Sequence, residues 1–173
     1  MKHLNKNVFL LTLICCLCVS CGGVRPIELF YTGTNSTMYF IRPFTMNGDE
    51  GETEMDITYR HTTGNSDTNK VICKFTFYSE WAGIEKVKDV YFLLQPESTK
   101  ITFTNINRYF VERDNNIARY EAQMTYGDLK KFIAASSCTF HITIPSTTLV
   151  YGPKGSVAKV REIVKREMID LIE

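Results

Sequence analysis

The sequence predicts an α+β fold. We expect an antiparallel β-sheet of about seven or eight strands, curled into a sandwich or half-barrel, with one short helix and a C-terminal amphipathic helix packed on one side. Three observations lead to this prediction. Residues 37–124 contain successive runs of alternating apolar and polar side chains, the period becomes helical after Thr125, and the last segment carries a single apolar stripe.

The first predicted strand, residues 37–46, contains Pro43. Proline has no N–H to donate to a neighbouring strand, so this run is expected to be an edge strand or a strand broken at a bulge. In residues 54–62, apolar and polar side chains alternate strictly, with Glu54 and Asp56 on the polar face. This alternation predicts a half-buried antiparallel strand that forms a hairpin with the next one.

The remaining strands follow the same pattern as far as residue 124, and a short helix comes next. Their predicted ranges are residues 70–79, 89–94, 100–107, 109–112 and 117–124. Thr125 and Asp128 then have the spacing of a capping box, which predicts a helix over residues 127–136. One further strand is expected at residues 138–144, and a turn at Pro145 and Ser146 leads into residues 147–151.

The C-terminal segment, residues 156–172, is predicted to be an amphipathic helix lying on the sheet. Its apolar stripe consists of Val157, Val160, Val164, Met168 and Leu171.

The N-terminal segment has the three parts of a secretory signal. Lys2 and Lys6 form a basic head, residues 8–19 form an apolar run, and Ser20 is the small residue before Cys21. The run of 12 residues is too short for a transmembrane helix, which needs roughly 20. An exported protein is therefore expected.

Residues 17–21, LCVSC, resemble the cleavage box of bacterial lipoproteins, in which the cysteine after the cut becomes diacylated. The match is loose, because Cys18 stands where the family prefers leucine. The alternative is an ordinary signal peptide with Cys21 as a bystander thiol. We favour lipidation of Cys21, with residues 1–20 as the signal peptide, 21–35 as a tether and 36–173 as a single domain.

The resemblance also implies a location. Well-studied lipoproteins that stay at the inner membrane carry an aspartate next to the modified cysteine, whereas here Gly22 and Gly23 follow Cys21. The short acidic patch that accompanies surface export in Bacteroidota-like lipoproteins is also missing from this position. The expectation is a protein held in the outer membrane of a Gram-negative envelope by fatty acyl chains, facing the periplasm.

Charge argues against a nucleic-acid partner. The chain has 20 Lys and Arg and 19 Asp and Glu, and the signal removes only Lys2 and Lys6, so the mature chain carries 18 basic and 19 acidic residues. Nucleic-acid binders need a clear basic excess or stripe. The partners we expect are the membrane, reached through the lipid, and another envelope protein.

Cys73 and Cys138 are the two cysteines left in the domain once the signal and Cys21 are set aside. Each shares a strand face with apolar residues, so both should point into the core. In an oxidising compartment they could form a disulfide, or they could be two small buried apolar residues. Neither has the exposure of a reactive thiol.

No catalytic, metal or cofactor motif stands out. His61 and His141 are the only histidines of the mature chain, and each is expected to be a strand-end or solvent-facing side chain. Five carboxylates within residues 49–56 could attract Ca²⁺, but a solvated rim that discourages edge-to-edge strand pairing fits their spacing better. We predict no metal and no cofactor.

Trp81 and Tyr78 mark the candidate binding surface, because these amphipathic rings lie at a strand end or outside the apolar register. The predicted function is a non-catalytic binding or structural module. The alternative is an envelope hydrolase with dispersed catalytic residues, which would use His61 or His141 with a carboxylate from residues 49–56.

Overall fold

A computed structural model describes residues 26–33, 35–64, 70–112, 114 and 116–172. It shows a mostly antiparallel sheet with two helices, one of them C-terminal, which confirms the α+β prediction. The described residues form ten strands in one sheet, more than the seven or eight predicted. The strands are β1 (Ile27–Tyr31), β2 (Ser36–Gly48), β3 (Gly51–Thr62), β4 (Lys70–Tyr78), β5 (Asp89–Gln95), β6 (Thr99–Thr102), β7 (Thr104–Glu112), β8 (Ile117–Thr125), β9 (Ser137–Thr143) and β10 (Thr148–Pro153).

The sheet curls into a nearly closed barrel. Its strand order is β6-β5-β9-β10-β2-β3-β4-β8-β7, with β1 paired to β2 outside this path. The two terminal strands of the path, β6 and β7, are separated in the chain by Phe103 alone. The run predicted as one strand over residues 100–107 therefore changes partner at Phe103, from β5 to β8. Phe103 N–H still donates to Val90 O at 2.9 Å.

Strand β2 lies inside the sheet, so the edge-strand alternative for the run containing Pro43 is wrong and the bulge alternative is confirmed. The register with β3 shifts between Ile41 and Phe44, on either side of Pro43. On its other edge, β2 pairs with β1 before the bulge and with β10 after it. The first strand, β1, lies within residues 21–35, the segment predicted as a tether.

Aromatic rings fill the barrel interior. The Phe140 ring, from β9, lies 5.3 Å from the Phe75 ring, from β4, and 5.1 Å from the Phe92 ring, from β5. Strands β9 and β4 lie on opposite sides of the barrel path, so these contacts cross its interior. All three side chains are fully buried. Each such pair adds about 0.5–1.5 kcal/mol beyond the burial of its area.

The first helix, α1 (Tyr126–Ala134), begins where the capping box predicted. The Thr125 hydroxyl accepts a hydrogen bond from Asp128 N–H at 3.0 Å, satisfying an amide that the helix leaves free. The helix buries Leu129, Phe132 and Ile133, and the Phe132 ring stacks on Phe92 with centroids 4.5 Å apart. Helix α1 thus covers one end of the barrel, called here the helix end.

The C-terminal helix, α2, begins with Gly155–Val164, continues through a π-helical segment, Lys165–Ile169, and ends with Asp170–Ile172. It packs on β2, β10 and α1. From α2, the buried Arg161 guanidinium donates to Ala135 O just after α1. A cation at the carboxyl end of a helix is stabilised by the helix dipole, so Arg161 ties the two helices together.

The π-helical segment changes the predicted apolar stripe. Val157, Val164 and Met168 are buried as predicted, but Leu171 is exposed and Ile169 is buried in its place. A π-turn has more residues per turn than an α-turn, so the residues that follow it are rotated around the axis. The prediction that Leu171 faces the sheet is therefore wrong.

This rotation can be tested by alanine substitution. Ile169→Ala is expected to lower the free energy of unfolding by about 2 kcal/mol or more, because it removes a buried side chain. Leu171→Ala should change it by less than about 0.5 kcal/mol. The measurement is urea denaturation of the two variants. If Leu171→Ala lowered the free energy of unfolding more than Ile169→Ala does, Leu171 would face the sheet as the regular α-helical stripe predicts.

Candidate functional site

The end of the barrel opposite α1 is built from chain connections and is called here the loop end. The β2–β3 turn, the β4–β5 loop and the β9–β10 turn meet there. Trp81 of the β4–β5 loop donates from Nε1 to Glu50 Oε1 of the β2–β3 turn at 3.0 Å. Ser146 of the β9–β10 turn donates from its hydroxyl to Ala82 O at 2.9 Å. These bonds join segments distant in sequence into one surface.

Hydrogen bonds fix the backbone and the indole N–H of Trp81, while half of the side-chain surface remains exposed to solvent. The Ser79 hydroxyl accepts from Trp81 N–H at 3.1 Å, which fixes the backbone just after β4. The indole N–H is directed to Glu50. The side chain is 50% exposed, so much of this large apolar group is available to a partner.

A cleft of about 210 Å³ lies beside Trp81 and is called here the loop-end cleft. It is lined by Asp49, Glu50, Trp81, Thr147, Thr148, Leu149, Val150 and Tyr151. Small-molecule sites usually measure about 300–1,000 Å³, so this cleft is on the small side for such a ligand. Its size suits a single side chain of a partner.

The carboxylates of Asp49 and Glu50 give the loop-end cleft a negative charge. Among the described residues no ion pair is formed by Asp49, Glu50 or Glu80, whereas Glu52 is paired with Lys154 at 2.6 Å. Burial, and then the nearby Glu50 charge, hold the pKa of Tyr151 well above its usual range. The carboxylates beside the cleft favour a cationic ligand.

Tyr78, the second residue of the predicted binding surface, also lies at the loop end. Its hydroxyl donates to Glu80 at 3.1 Å, and this hydrogen bond is the main reason that the pKa of Tyr78 is raised. Tyr151 donates its hydroxyl to Tyr78 O at 3.4 Å. Trp81 and Tyr78 are thus brought to the same end, although Trp81 lines the loop-end cleft and Tyr78 lines a neighbouring one beside Glu52.

His61 is not brought together with the carboxylates of residues 49–54. His61 lies near the far end of β3, with its ring 6.5 Å from that of Tyr59. That position is roughly 30 Å along the strand from Glu52, at about 3.3 Å per residue. The form of the hydrolase alternative that pairs His61 with a carboxylate near Glu52 is therefore not assembled in this fold.

His141 belongs to an aromatic stack on the outer face of the barrel. Its ring stacks on Tyr91 with centroids 4.5 Å apart, and its Nε2 lies 2.8 Å from the Thr139 hydroxyl. Lys100 Nζ lies 3.9 Å from the Tyr91 ring centroid and 3.1 Å from Asp89. Partial burial, and then the positive charge of Lys100, lower the pKa of His141. The neutral imidazole is therefore favoured at neutral pH.

Asp56 does not belong to a solvated rim, which corrects its predicted position. The residue is buried, and its carboxylate accepts from the Arg119 guanidinium at 2.8 Å. Burial raises the pKa of Asp56 and outweighs the opposing effect of Arg119. Within the described ranges, no three His, Cys, Asp or Glu side chains are grouped so as to hold a metal ion.

Cys73 and Cys138 are both buried, as predicted, and both are free thiols in this structure. Burial raises the pKa of each thiol, and for Cys138 the nearby Arg161 opposes that effect in part. These environments suit apolar core residues. Cys21 lies outside the described residues, and among the residues that are described no helix is long and apolar enough to cross a membrane.

A larger groove of about 510 Å³ lies at the helix end, lined by residues 94–97, Thr99, Lys131 and residues 134–136. Its two charged side chains, Glu97 and Lys131, are exposed, and Lys131 is already paired with Asp128 at 3.0 Å. The groove offers no charged group withdrawn from solvent. Despite its size, it is the weaker candidate for recognition.

Sequence reasoning identified Trp81 but missed the groups that define its surroundings. Glu50 was assigned to a solvated rim, and its contact with Trp81 spans 31 positions of the chain. The stack of Tyr91 on His141 was also missed. Comparison of the chain with family models, curated proteins and solved structures finds no match.

The electrostatic environment of His141 can be tested by removing the charge of Lys100. Lys100→Met should raise the pKa of His141, because a repulsive charge is lost, but should leave it below 6.5 because burial is the larger cause. The pKa is measured by following the imidazole proton resonances during an NMR titration. Lys159→Met, on α2, is the control and should leave the titration unchanged.

Proposed function

We propose that this protein is a non-catalytic binding module of a Gram-negative cell envelope, anchored by lipid at Cys21, whose loop end binds a basic segment of another envelope protein. The observation that carries the proposal is Trp81. Half of this ring is exposed beside a cleft of about 210 Å³, and its indole N–H is fixed by Glu50.

The chemistry of the cleft favours a lysine or arginine side chain. A cation that enters beside Trp81 can lie against the ring and close to the carboxylates of Asp49 and Glu50. Tryptophan is enriched among the few residues that dominate the binding energy of protein interfaces. Residues 147–151 and the β2–β3 turn form most of the cleft wall, and hydrogen bonds to Ser79 and Glu50 hold Trp81, so little ordering is needed when a partner binds.

The proposed anchor rests on the signal-like N-terminus and on residues 17–21, LCVSC. Two acyl chains on one cysteine hold a protein stably, whereas a single chain is marginal. Gly22 and Gly23 in place of an aspartate favour the outer membrane, with the domain facing the periplasm.

Lipid attachment can be tested by metabolic labelling. Cells that express the full chain are fed a fatty-acid analogue, and the wild-type protein should become labelled. Cys21→Ser should lose the label, and Cys18→Ser should keep it because Cys18 leaves with the signal. Equal labelling of the wild type and Cys21→Ser would remove the proposed anchor.

Partner binding can be tested with matched aromatic variants. The tagged, lipidated protein is captured from detergent-solubilised native envelopes, and the affinity for the recovered partner is then measured directly. Trp81→Ala should weaken that affinity by roughly thirtyfold or more, the size of a binding hot spot. Glu50→Gln should weaken it as well, and raised salt should reduce the wild-type affinity.

Tyr109→Ala is the control, since Tyr109 is an exposed aromatic residue of β7 outside the loop-end cleft. It should bind as the wild type does. Circular dichroism establishes that each variant is folded. Unchanged affinity of a folded Trp81→Ala variant would exclude the loop end as the binding surface.

A further inference from the structure

We propose that strand β1 docks the domain on the bilayer surface that holds the lipid of Cys21. The docking surface consists of Leu29, Phe30 and Tyr31 and is called here the hairpin surface. This inference rests on the lipid anchor of the proposed function. It adds the orientation in which the anchored domain sits.

The hairpin surface is apolar and open to solvent. Leu29, Phe30 and Tyr31 are 47%, 44% and 80% exposed, and they are consecutive in the chain. The other large exposed apolar residues are spread over several elements, and they are Trp81, Tyr109, Phe110, Val150 and Leu171. Several large apolar side chains exposed on one short strand are typical of an interaction site.

The hairpin surface projects from both faces of one strand. Residues that face each other across neighbouring strands share a face, and Phe30 pairs with Met38 while Tyr31 pairs with Thr37. Among the described residues, β1 pairs with β2 alone, so its other edge is open. A strand that exposes large apolar side chains on both faces and is unpaired along one edge is an aggregation hazard unless something covers it.

The length of the tether favours the membrane as the surface that covers β1. Six residue steps separate Cys21 from Ile27, which allows a reach of at most about 20 Å. Tyr31 lies about 13 Å further along the strand. A domain of this size is roughly 35–40 Å across, so a lipid at Cys21 keeps the β1 side of the domain against the bilayer.

The distribution of charge also favours docking of the hairpin surface on the membrane. Arg60, in register with Met38, is exposed beside the hairpin surface, and Arg42 lies next to it in an ion pair with Glu28. These guanidinium groups can contact lipid phosphates. Asp49, Glu50 and Glu80, which form no ion pair among the described residues, lie at the loop end, which is reached at the far end of β2, roughly 40 Å along the strand. Docking through β1 therefore faces the acidic end away from the headgroups.

Tryptophan fluorescence tests this orientation directly, because Trp81 is the only tryptophan of the chain. The mature, lipidated protein is reconstituted into vesicles of phosphatidylethanolamine and phosphatidylglycerol, with or without brominated acyl chains that quench tryptophan. Wild-type Trp81 reports on the loop end. A Tyr31→Trp, Trp81→Phe variant reports on the hairpin surface, with Phe30→Trp, Trp81→Phe as a second reporter.

Brominated lipids should remove most of the emission from position 31 or 30 and leave the wild-type emission unchanged. A Tyr109→Trp, Trp81→Phe variant, with its reporter on β7, is the matched control and should also stay bright. Circular dichroism of each variant establishes that it is folded.

The failure of docking and the failure of anchoring give different results. Labelled protein that floats with the vesicles, but whose position-31 emission is not quenched, overturns the docking and leaves the anchor. If such protein also cross-links as a dimer through β1, a second copy covers the hairpin surface instead. Protein that carries no fatty-acid label and does not float overturns both.

Discussion

The fold depends on one change of partner in the chain. The run from β6 to β7 pairs first with β5 and then with β8, and Phe103 is the residue where the change occurs. Without this change the sheet would end in two long open edges, each able to pair with another chain. The Phe103 ring is buried and lies 5.4 Å from Phe92 and 6.1 Å from Phe140. The residue that closes the barrel is therefore also part of its aromatic core.

Strand breaks and helix starts could be predicted from the sequence, whereas contacts between residues distant in the chain could not. Pro43 predicted a break and Thr125 predicted a helix start, because proline lacks a donor and a threonine hydroxyl satisfies a free amide. Phe103 and Asp56 were misjudged for the opposite reason. Alternation continues through Phe103 although the partner strand changes, and Asp56 is buried because Arg119, 63 positions away, pairs with it. In α2, one π-helical segment rotates the residues that follow, so Ile169 is buried where Leu171 was predicted to be.

In the candidate site, too, the sequence predicts local features but not the long-range contacts. Trp81 could be selected from sequence because a single tryptophan outside the apolar register is unusual, but its partner Glu50 could not, since only the fold brings two separate connections to one end of the barrel. The hairpin surface was hidden for another reason. Residues 21–35 were predicted as a tether, so exposure of three consecutive apolar side chains could be recognised only once β1 was seen to pair, among the described residues, with β2 alone.

The two proposals constrain each other through the length of β2. This strand begins beside the hairpin surface and ends at the turn that carries Asp49 and Glu50, so a barrel docked through β1 holds the loop-end cleft away from the headgroups. Anionic lipids would repel the carboxylates of the cleft if that end faced the bilayer, and they attract Arg60 at the other end. In the proposed arrangement, the membrane therefore orients the cleft toward the periplasm before any partner arrives. A tether too short to let the domain tumble freely then lowers the entropic cost of binding a partner fixed in the same envelope.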